Sequence, residues 1–135
     1  MHAHPPTDPG PAVRERLDQE RNVWLCTVRP DGSSHVTPVW FVYEAERWWI
    51  GTDGFSVKVR NIRHEPRVSL ALEDGRVPVV AEGTARLIST PFPPGVVAAF
   101  QQKYAWDVAA PTRPAGTRLL LEVPVHRWLL AGTAQ

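Results

Sequence analysis

The sequence predicts a mainly β protein, an antiparallel barrel that is split rather than closed, with two or three short helices. Segments rich in β-branched and aromatic residues are separated by turn signals, such as residues 30–33 (P-D-G-S) and 74–75 (D-G), which are typical of hairpins. Pro38, Pro78 and Pro124 fall inside strand-like runs. Because proline has no N–H to donate to a β-ladder, each one marks an edge, a bulge or an open seam.

The spacing of apolar residues changes along the chain and assigns each segment to a strand or a helix. Six strands are predicted: 23–28, 34–43, 47–52, 67–72, 76–89 and 117–123, with Pro124 interrupting the last before it continues over 125–130. Three helices are predicted: 12–21, 55–65 and 94–105. The middle helix has Phe55, Val59 and Ile62 on one face, so we expect these three to be buried and Arg60 and Arg63 to be exposed.

Length and composition indicate one globular domain. The chain has 135 residues, of which 43% are hydrophobic and 21% charged. The proline-rich residues 1–11 are predicted to form a mobile leader, and 12–135 a single split-barrel domain. No apolar run reaches the ~18 residues of a membrane span. The first residues lack the basic start and apolar core of a secretory signal, so we expect a cytoplasmic protein without a membrane partner.

Several functional classes are not expected from the residue inventory. The 15 basic residues are balanced by 14 acidic ones, whereas nucleic-acid binders usually have a basic excess. Cys26 is the only cysteine, and the five histidines are scattered, so neither a disulfide framework nor a metal site is predicted. The glycine-rich nucleotide motifs, the H-E-x-x-H metalloprotease motif and the G-x-S-x-G hydrolase motif are absent. No catalytic residue is assigned.

Residues 52–67 (T-D-G-F-S-V-K-V-R-N-I-R-H-E-P-R) carry the most chemical information. A strand ends there, a glycine turn follows and a helix begins, and helix N-termini bind anions through unpaired N–H groups and partial positive charge. Thr52 and Ser56 add hydroxyls, and Lys58 adds a cation that the helix dipole disfavours unless an anion is bound. Lys58 and Asn61 are three residues apart and can point to one side. The alternative is a surface helix with solvated arginines, capped by Ser56 or Asp53.

The predicted second strand also allows two interpretations. Pro38 lies in the middle of residues 35–41 (H-V-T-P-V-W-F), and Trp40 follows it closely. A strand partly released from its ladder offers backbone groups to a planar ligand. The alternative, which the residues by themselves favour, is an edge strand whose tryptophan belongs to the core.

Four segments together resemble the pyridoxamine-5′-phosphate-oxidase-like split-barrel flavoproteins, and among them the small flavin- or deazaflavin-dependent oxidoreductases. They are W-L-C-T-V-R-P-D-G (24–32), V-T-P-V-W-F (36–41), K-V-R-N-I-R-H-E-P-R-V-S-L (58–70) and V-A-E-G-T-A-R-L (80–87). The third segment is the most specific. The resemblance covers about residues 23–90, and the last third of the chain fits only loosely.

This resemblance implies an FMN-binding split barrel that forms a homodimer, with two flavin sites at the subunit interface. It implies that one strand lies along the isoalloxazine ring: Thr37, Pro38, Val39 and Trp40. It implies that the next strand end and helix hold the phosphate, beside the Ser56 hydroxyl: Gly51, Thr52, Lys58, Arg60 and Asn61. The residues expected to close the ring pocket from the partner subunit are Trp106, Arg127 and Trp128.

The implied activity is that of an oxidoreductase which transfers hydride between reduced coenzyme F-420, a deazaflavin, or FMN and a small organic substrate. F-420 has a long anionic tail, for which Arg60, Arg63 and Arg67 could provide a basic groove. The alternative is a non-catalytic split barrel that binds haem, a flavin or another planar ligand.

Overall fold

The computed structural model describes residues 8–112 and 116–131. Within these ranges the chain forms three helices and eight strands. In chain order they are α1 (Pro11–Gln19), β1 (Val23–Val28), β2 (Ser34–Val39), β3 (Val42–Glu44), β4 (Arg47–Asp53), α2 (Val57–His64), β5 (Arg67–Leu72), β6 (Val80–Thr84), β7 (Arg86–Ser89), α3 (Pro94–Tyr104) and β8 (Arg118–Leu129). Residues 1–7 of the predicted leader lie outside the described ranges.

All the strands belong to one antiparallel sheet, in the order β2-β1-β5-β6-β8-β4-β3, with β7 pairing with β8 off this path. The sheet curls around an apolar core, but β2 and β3 stand at its two open ends. This arrangement confirms the predicted mainly β, split antiparallel barrel. Pro38 lies on the end strand β2, as expected for a residue that cannot donate to a ladder.

The predicted continuous strand over 34–43 is wrong, because the chain breaks at Trp40 and Phe41. β2 pairs with β1, whereas β3 pairs with β4 at the opposite end of the sheet. One straight strand cannot reach both ends, so the two residues between them carry the chain across the open seam.

Two other predicted strand boundaries also need correction. The long strand over 76–89 divides into β6 and β7 at Ala85, whose N–H turns away from both ladders to the Pro66 carbonyl oxygen (2.8 Å). The predicted interruption at Pro124 does not occur, since β8 runs through it, and Pro124 lies opposite Arg47 of β4. On the side of β8 that pairs with β6, the register shifts: Glu82 lies opposite Arg127 and Gly83 opposite Val125, so the pairing passes over His126 of β8.

Helix α2 closes one end of the barrel with two of the three predicted apolar residues. Val59 and Ile62 are buried, and Arg60 and Arg63 are exposed as predicted. Phe55 is 79% exposed, so its predicted burial is wrong. The helix begins only at Val57, after the N-cap Ser56, and the helical spacing therefore does not extend back to Phe55.

Asn61 joins α2 to the barrel core. Its side chain is fully buried, and its Nδ2 donates to Thr27 Oγ1 on β1 at 3.0 Å. Because both groups are shielded from water, removing either one leaves the other without its partner.

We expect Asn61→Ala to lower the free energy of unfolding by about 1–3 kcal/mol, because the Thr27 hydroxyl would remain buried and unpaired. Urea denaturation followed by tryptophan fluorescence measures this change. Thr27→Val is the matched control: the double variant should lose less than the sum of the two single losses. Additive losses would show that the Asn61–Thr27 hydrogen bond does not stabilise the fold.

The outer face of the sheet carries an apolar row that crosses five strands. Residues directly opposite each other in neighbouring strands point to the same face, and the register aligns one residue from each strand. The row consists of Pro38, Trp24, Ala71, Val80 and Leu129. Trp24 is 43% exposed in the single chain, and Val36, beside the row on β2, is 55% exposed.

Candidate functional site

The candidate site begins where β4 ends and α2 starts. Ser56 Oγ accepts the Val59 N–H at 3.3 Å and lies 3.0 Å from the buried Thr52 Oγ1. These contacts fix the first turn of α2 against β4. The first turn holds no acidic side chain, so the partial positive charge of the helix N-terminus is not offset within it.

Lys58 adds a full positive charge to this first turn. Partial burial lowers the pKa of Lys58, the charge of Arg118 lowers it further, and Asp53 acts in the opposite direction. The ammonium group is therefore partly desolvated, with the Arg118 cation and the Asp53 carboxylate acting on it in opposite directions. A bound anion would favour its charged form.

Arg118 is the second cation of the site, and it is only 6% exposed. It begins β8 directly opposite Asp53 of β4, and its Nε donates to the Val108 carbonyl oxygen at 3.1 Å. Its Nη2 is buried and has no hydrogen-bond partner among the described residues. Burial lowers the pKa of Arg118, and the charge of Asp53 opposes this shift.

An aromatic group lies beside the cations. The Arg118 guanidinium carbon is 5.3 Å from the centroid of the Trp106 ring, and Trp106 meets Trp40 edge-on at 5.5 Å. Trp40 stacks on Tyr104 with centroids 4.4 Å apart and planes 9° from parallel. Trp40 is nevertheless 41% exposed, so part of its ring remains available to a planar ligand.

Gly51 of β4 allows these groups to come together. A Cβ atom at this position would collide with the Val108 side chain and lie 3.1 Å from Arg118 Nη2 and 3.2 Å from the Trp106 ring. A larger residue would push the segment containing Trp106 and Val108 away from the sheet. The role of Gly51 beside a phosphate stays a prediction.

The structure brings one part of the predicted site together. Around the end of β4 lie Trp40, Gly51, Thr52, Ser56, Lys58 and Trp106. Thr37, Pro38 and Val39 lie on the end strand β2, which leads directly into Trp40. Arg60 is exposed on α2, one residue beyond the turn that Ser56 caps.

Three other predicted residues lie elsewhere in the single chain. Asn61 points into the core, where it binds Thr27. Arg127 is exposed on the outer sheet face and pairs with Glu82 at 3.1 Å. Trp128 packs inward, with its ring 5.9 Å from Tyr43 and 6.0 Å from Trp48.

Sequence reasoning missed Arg118 and Tyr104. The available signal for Arg118 was an arginine at the start of an otherwise apolar strand (L-L-L, 119–121), a position where a charge needs a partner. Tyr104 gave no such signal, because a tyrosine at the end of an amphipathic helix is an ordinary core residue.

The residues fit a phosphate-bearing planar cofactor. Arg118 Nη2 is a buried donor without an acceptor in the described part of the chain, beside Lys58 and the N-terminus of α2. A phosphate group supplies the acceptor oxygens and negative charge that these groups lack. Trp40, which is 41% exposed and meets Trp106 edge-on, offers part of its surface to an aromatic ring system.

The antiparallel sheet, open between β2 and β3, defines a split-barrel protein. Residues 10–131 match the family described as Pyridoxamine 5'-phosphate oxidase, and the chain belongs to this family. The family resemblance found in the sequence motifs is therefore confirmed. No curated protein matches the chain in a sequence search.

Solved structures agree with this fold. An F420 reductase superposes with a TM-score of 0.68 at 20% identity, covering 86% of this chain and 94% of the other. The conserved hypothetical protein Rv2991 from Mycobacterium tuberculosis gives 0.70 at 22% identity, covering 100% and 98%. The haem storage protein HutZ from Vibrio cholerae gives 0.76 at 17% identity, covering 92% and 95%. At these identities the likeness establishes the fold.

No helix in residues 8–112 and 116–131 is both long and apolar enough to cross a membrane. Over the same ranges, no three His, Cys, Asp or Glu side chains are grouped so that they could hold a metal ion.

Proposed function

We propose that this protein is an oxidoreductase that transfers hydride between reduced coenzyme F-420, or FMN, and a small organic acceptor. The observation that carries the proposal is the arrangement of an anion site and an aromatic platform side by side. Lys58 and the α2 N-terminus lie at one end and the exposed Trp40 ring at the other, with Arg118 and Trp106 between them. A flavin-type cofactor has its phosphate and its ring at opposite ends, as this arrangement requires.

The chain's own residues bind and orient the cofactor. Lys58, Ser56 and the free N–H groups at the start of α2 hold the phosphate. Thr37, Pro38 and Val39 run along the ring, which Trp40 contacts at the open seam. When bound, the cofactor supplies the hydride chemistry, so no protein acid or base is needed for that step.

The exposed arginines of α2 favour F-420 over FMN. Arg60 and Arg63 are exposed on this helix, whereas Arg67 is paired with Glu65 at 2.9 Å. Two exposed cations next to a phosphate site suit a ligand whose negative charge continues beyond the phosphate, as the anionic tail of F-420 does.

We also propose a homodimer in which the apolar row of the outer sheet face is buried. A row that crosses five strands and leaves Trp24 and Leu129 exposed suits a twofold, self-complementary contact. Arg127 lies on this same face, opposite Glu82, and could reach the site of the other subunit. In the single chain, Trp106 stands beside Trp40 and Trp128 packs inward, and their role in closing the partner's ring pocket stays a prediction.

We expect the wild-type protein to sediment as a dimer at micromolar concentration. Trp24→Glu should raise the dimer dissociation constant by about thirtyfold or more, because it would place a charge in the centre of the apolar row. Val77→Glu is the control, since Val77 is also exposed but lies in the turn between β5 and β6. A monomeric wild type, or equal effects of both substitutions, would contradict this interface.

Lys58→Ala should weaken the binding of F-420 and FMN by about tenfold to a hundredfold, since a charge-assisted contact to phosphate is lost. Fluorescence titration of each cofactor measures the change. Stability should fall little or even rise, because a partly desolvated cation leaves the positive end of a helix.

Arg76→Ala is the control for the Lys58 variant. It also removes a positive charge, but from the exposed turn between β5 and β6, which takes no part in the proposed site. Equal dissociation constants for wild type and Lys58→Ala, or equal losses in both variants, would remove Lys58 from the proposed site.

Non-catalytic ligand binding is the second candidate function, because the fold is shared with a haem storage protein. In this alternative the same surface binds haem, a flavin or another planar ligand without catalysis. The absorbance spectrum of the purified protein separates the cases: a band near ~450 nm indicates FMN, one near ~420 nm a deazaflavin, and a Soret band haem.

The activity itself is tested with reduced F-420 and reduced FMN against quinones, enones, biliverdin and nitro compounds. The proposal predicts oxidation of one cofactor that depends on both enzyme and acceptor, and that slows in Lys58→Ala at sub-saturating cofactor. Tight binding of haem without turnover of either cofactor would favour the storage function instead.

A further inference from the structure

We propose that Arg118 is a second phosphate-binding residue, whose Nη2 donates to a cofactor phosphate oxygen, and this inference rests on the proposed function. Arg118 is 6% exposed, and Nη2 is buried with no acceptor anywhere in the described residues. A buried N–H donor of a charged group is energetically costly when it has no acceptor. Such unpaired donors are therefore rare in native proteins unless a ligand supplies the acceptor.

The location of Arg118 at the anion site follows from backbone geometry. The Gly54 N–H, in the loop before α2, donates to the Thr117 carbonyl oxygen at 2.7 Å. This bond ties the start of α2 to the residue immediately before Arg118. The register of β4 and β8 also sets Arg118 opposite Asp53, three residues before the N-cap Ser56. Arg118 thus enters the site from β8, a strand about 60 residues away in the chain.

The charges around Arg118 are arranged for an anion. Lys58 and Arg118 repel each other across the site, and Asp53 is the carboxylate that acts on both. Two cations and the positive helix end therefore face one carboxylate. A phosphate between the two cations would turn their repulsion into two attractions.

Trp106 connects the guanidinium group to the proposed ring position. Arg118 lies over the Trp106 ring, and Trp106 meets Trp40 edge-on. The guanidinium carbon lies 5.3 Å and the Trp40 ring centroid 5.5 Å from the centroid of the Trp106 ring. A phosphate bound by Arg118 and a ring bound on Trp40 would therefore both adjoin this indole.

A purely structural role for Arg118 would use one of its five N–H donors. The Nε contact to Val108 holds the segment carrying Trp106 against β8. Such a role predicts that a substitution weakens every ring-containing ligand equally, whether or not the ligand has a phosphate. The phosphate role predicts a loss confined to phosphorylated ligands.

The experiment measures, by fluorescence titration, the affinities of riboflavin and FMN, and of the deazaflavin nucleoside of F-420 and its 5′-phosphate. For each pair, the phosphate preference is the dissociation constant of the phosphate-free ligand divided by that of the phosphorylated one. In Arg118→Gln, this ratio should fall by about tenfold to a hundredfold for whichever pair the wild type binds. Arg118→Lys should retain part of that preference, because it keeps the charge and loses the fork of donors. Arg76→Gln, in the exposed turn between β5 and β6, is the control and should leave the preference unchanged.

If circular dichroism shows that the variants do not fold, the pH dependence of ligand affinity in the wild-type protein tests the same inference. A phosphate monoester gains its second charge near a pKa of about 6, whereas riboflavin does not titrate there. A site with two cations should bind FMN increasingly well from pH 5 to pH 8, relative to riboflavin. The phosphodiester of F-420 keeps one charge throughout this pH range, so the affinity of the protein for F-420 should show no such rise. The pH dependence therefore distinguishes the phosphate monoester of FMN from the phosphodiester of F-420.

The outcomes separate this inference from the proposed function. An unchanged phosphate preference in Arg118→Gln, with a reduced one in Lys58→Ala, overturns the role of Arg118 and leaves the cofactor site in place. If Arg118→Gln weakens phosphorylated and phosphate-free ligands equally, Arg118 is structural. If wild type shows no preference for phosphate in either pair, both the inference and the proposed phosphate site are wrong.

Discussion

The chain has to leave one end of the sheet and enter the other at Trp40 and Phe41, and the polar backbone groups at this crossing must find partners off the ladder. The Tyr104 hydroxyl provides them: it accepts the Phe41 N–H at 3.0 Å and lies 2.9 Å from the Phe41 and 2.7 Å from the Arg21 carbonyl oxygens. Lys103 Nζ adds contacts to Phe41 and Leu17 carbonyl oxygens at 3.2 and 3.0 Å. The seam is therefore held by the C-terminal end of α3.

The same crossing creates the proposed ring position. Because Trp40 lies outside both ladders, its ring can stack on Tyr104 and still remain partly exposed. Phe41, the next residue, turns inward and packs against Trp48 in the core. A continuous strand would have kept Trp40 in a ladder, so the split in the barrel and the aromatic platform have one structural origin.

The proposed anion site combines locally unfavourable charges with a well-packed surrounding structure. Lys58 at a positive helix end and a buried Arg118 are each unfavourable by themselves, and both raise the free energy of the ligand-free protein. Close packing at Gly51 and the hydrogen bond between Asn61 and Thr27 hold the surrounding elements in place. This preorganisation lowers the ordering needed when an anionic ligand binds.

The sequence by itself determined the strand-rich pattern, the family and a helix that follows the end of β4, since these depend on residues close together in the chain. Only the tertiary structure decided that Arg118 lies near Lys58, because the position of Arg118 depends on the register between β4 and β8. The tertiary structure also decided that the strand is interrupted at Trp40, since a local sequence pattern cannot show that β2 and β3 pair at opposite ends of the sheet. Phe55 and Asn61 illustrate the same limit: helical spacing suggested one face, but the helix begins two residues after Phe55 and its buried face includes Asn61.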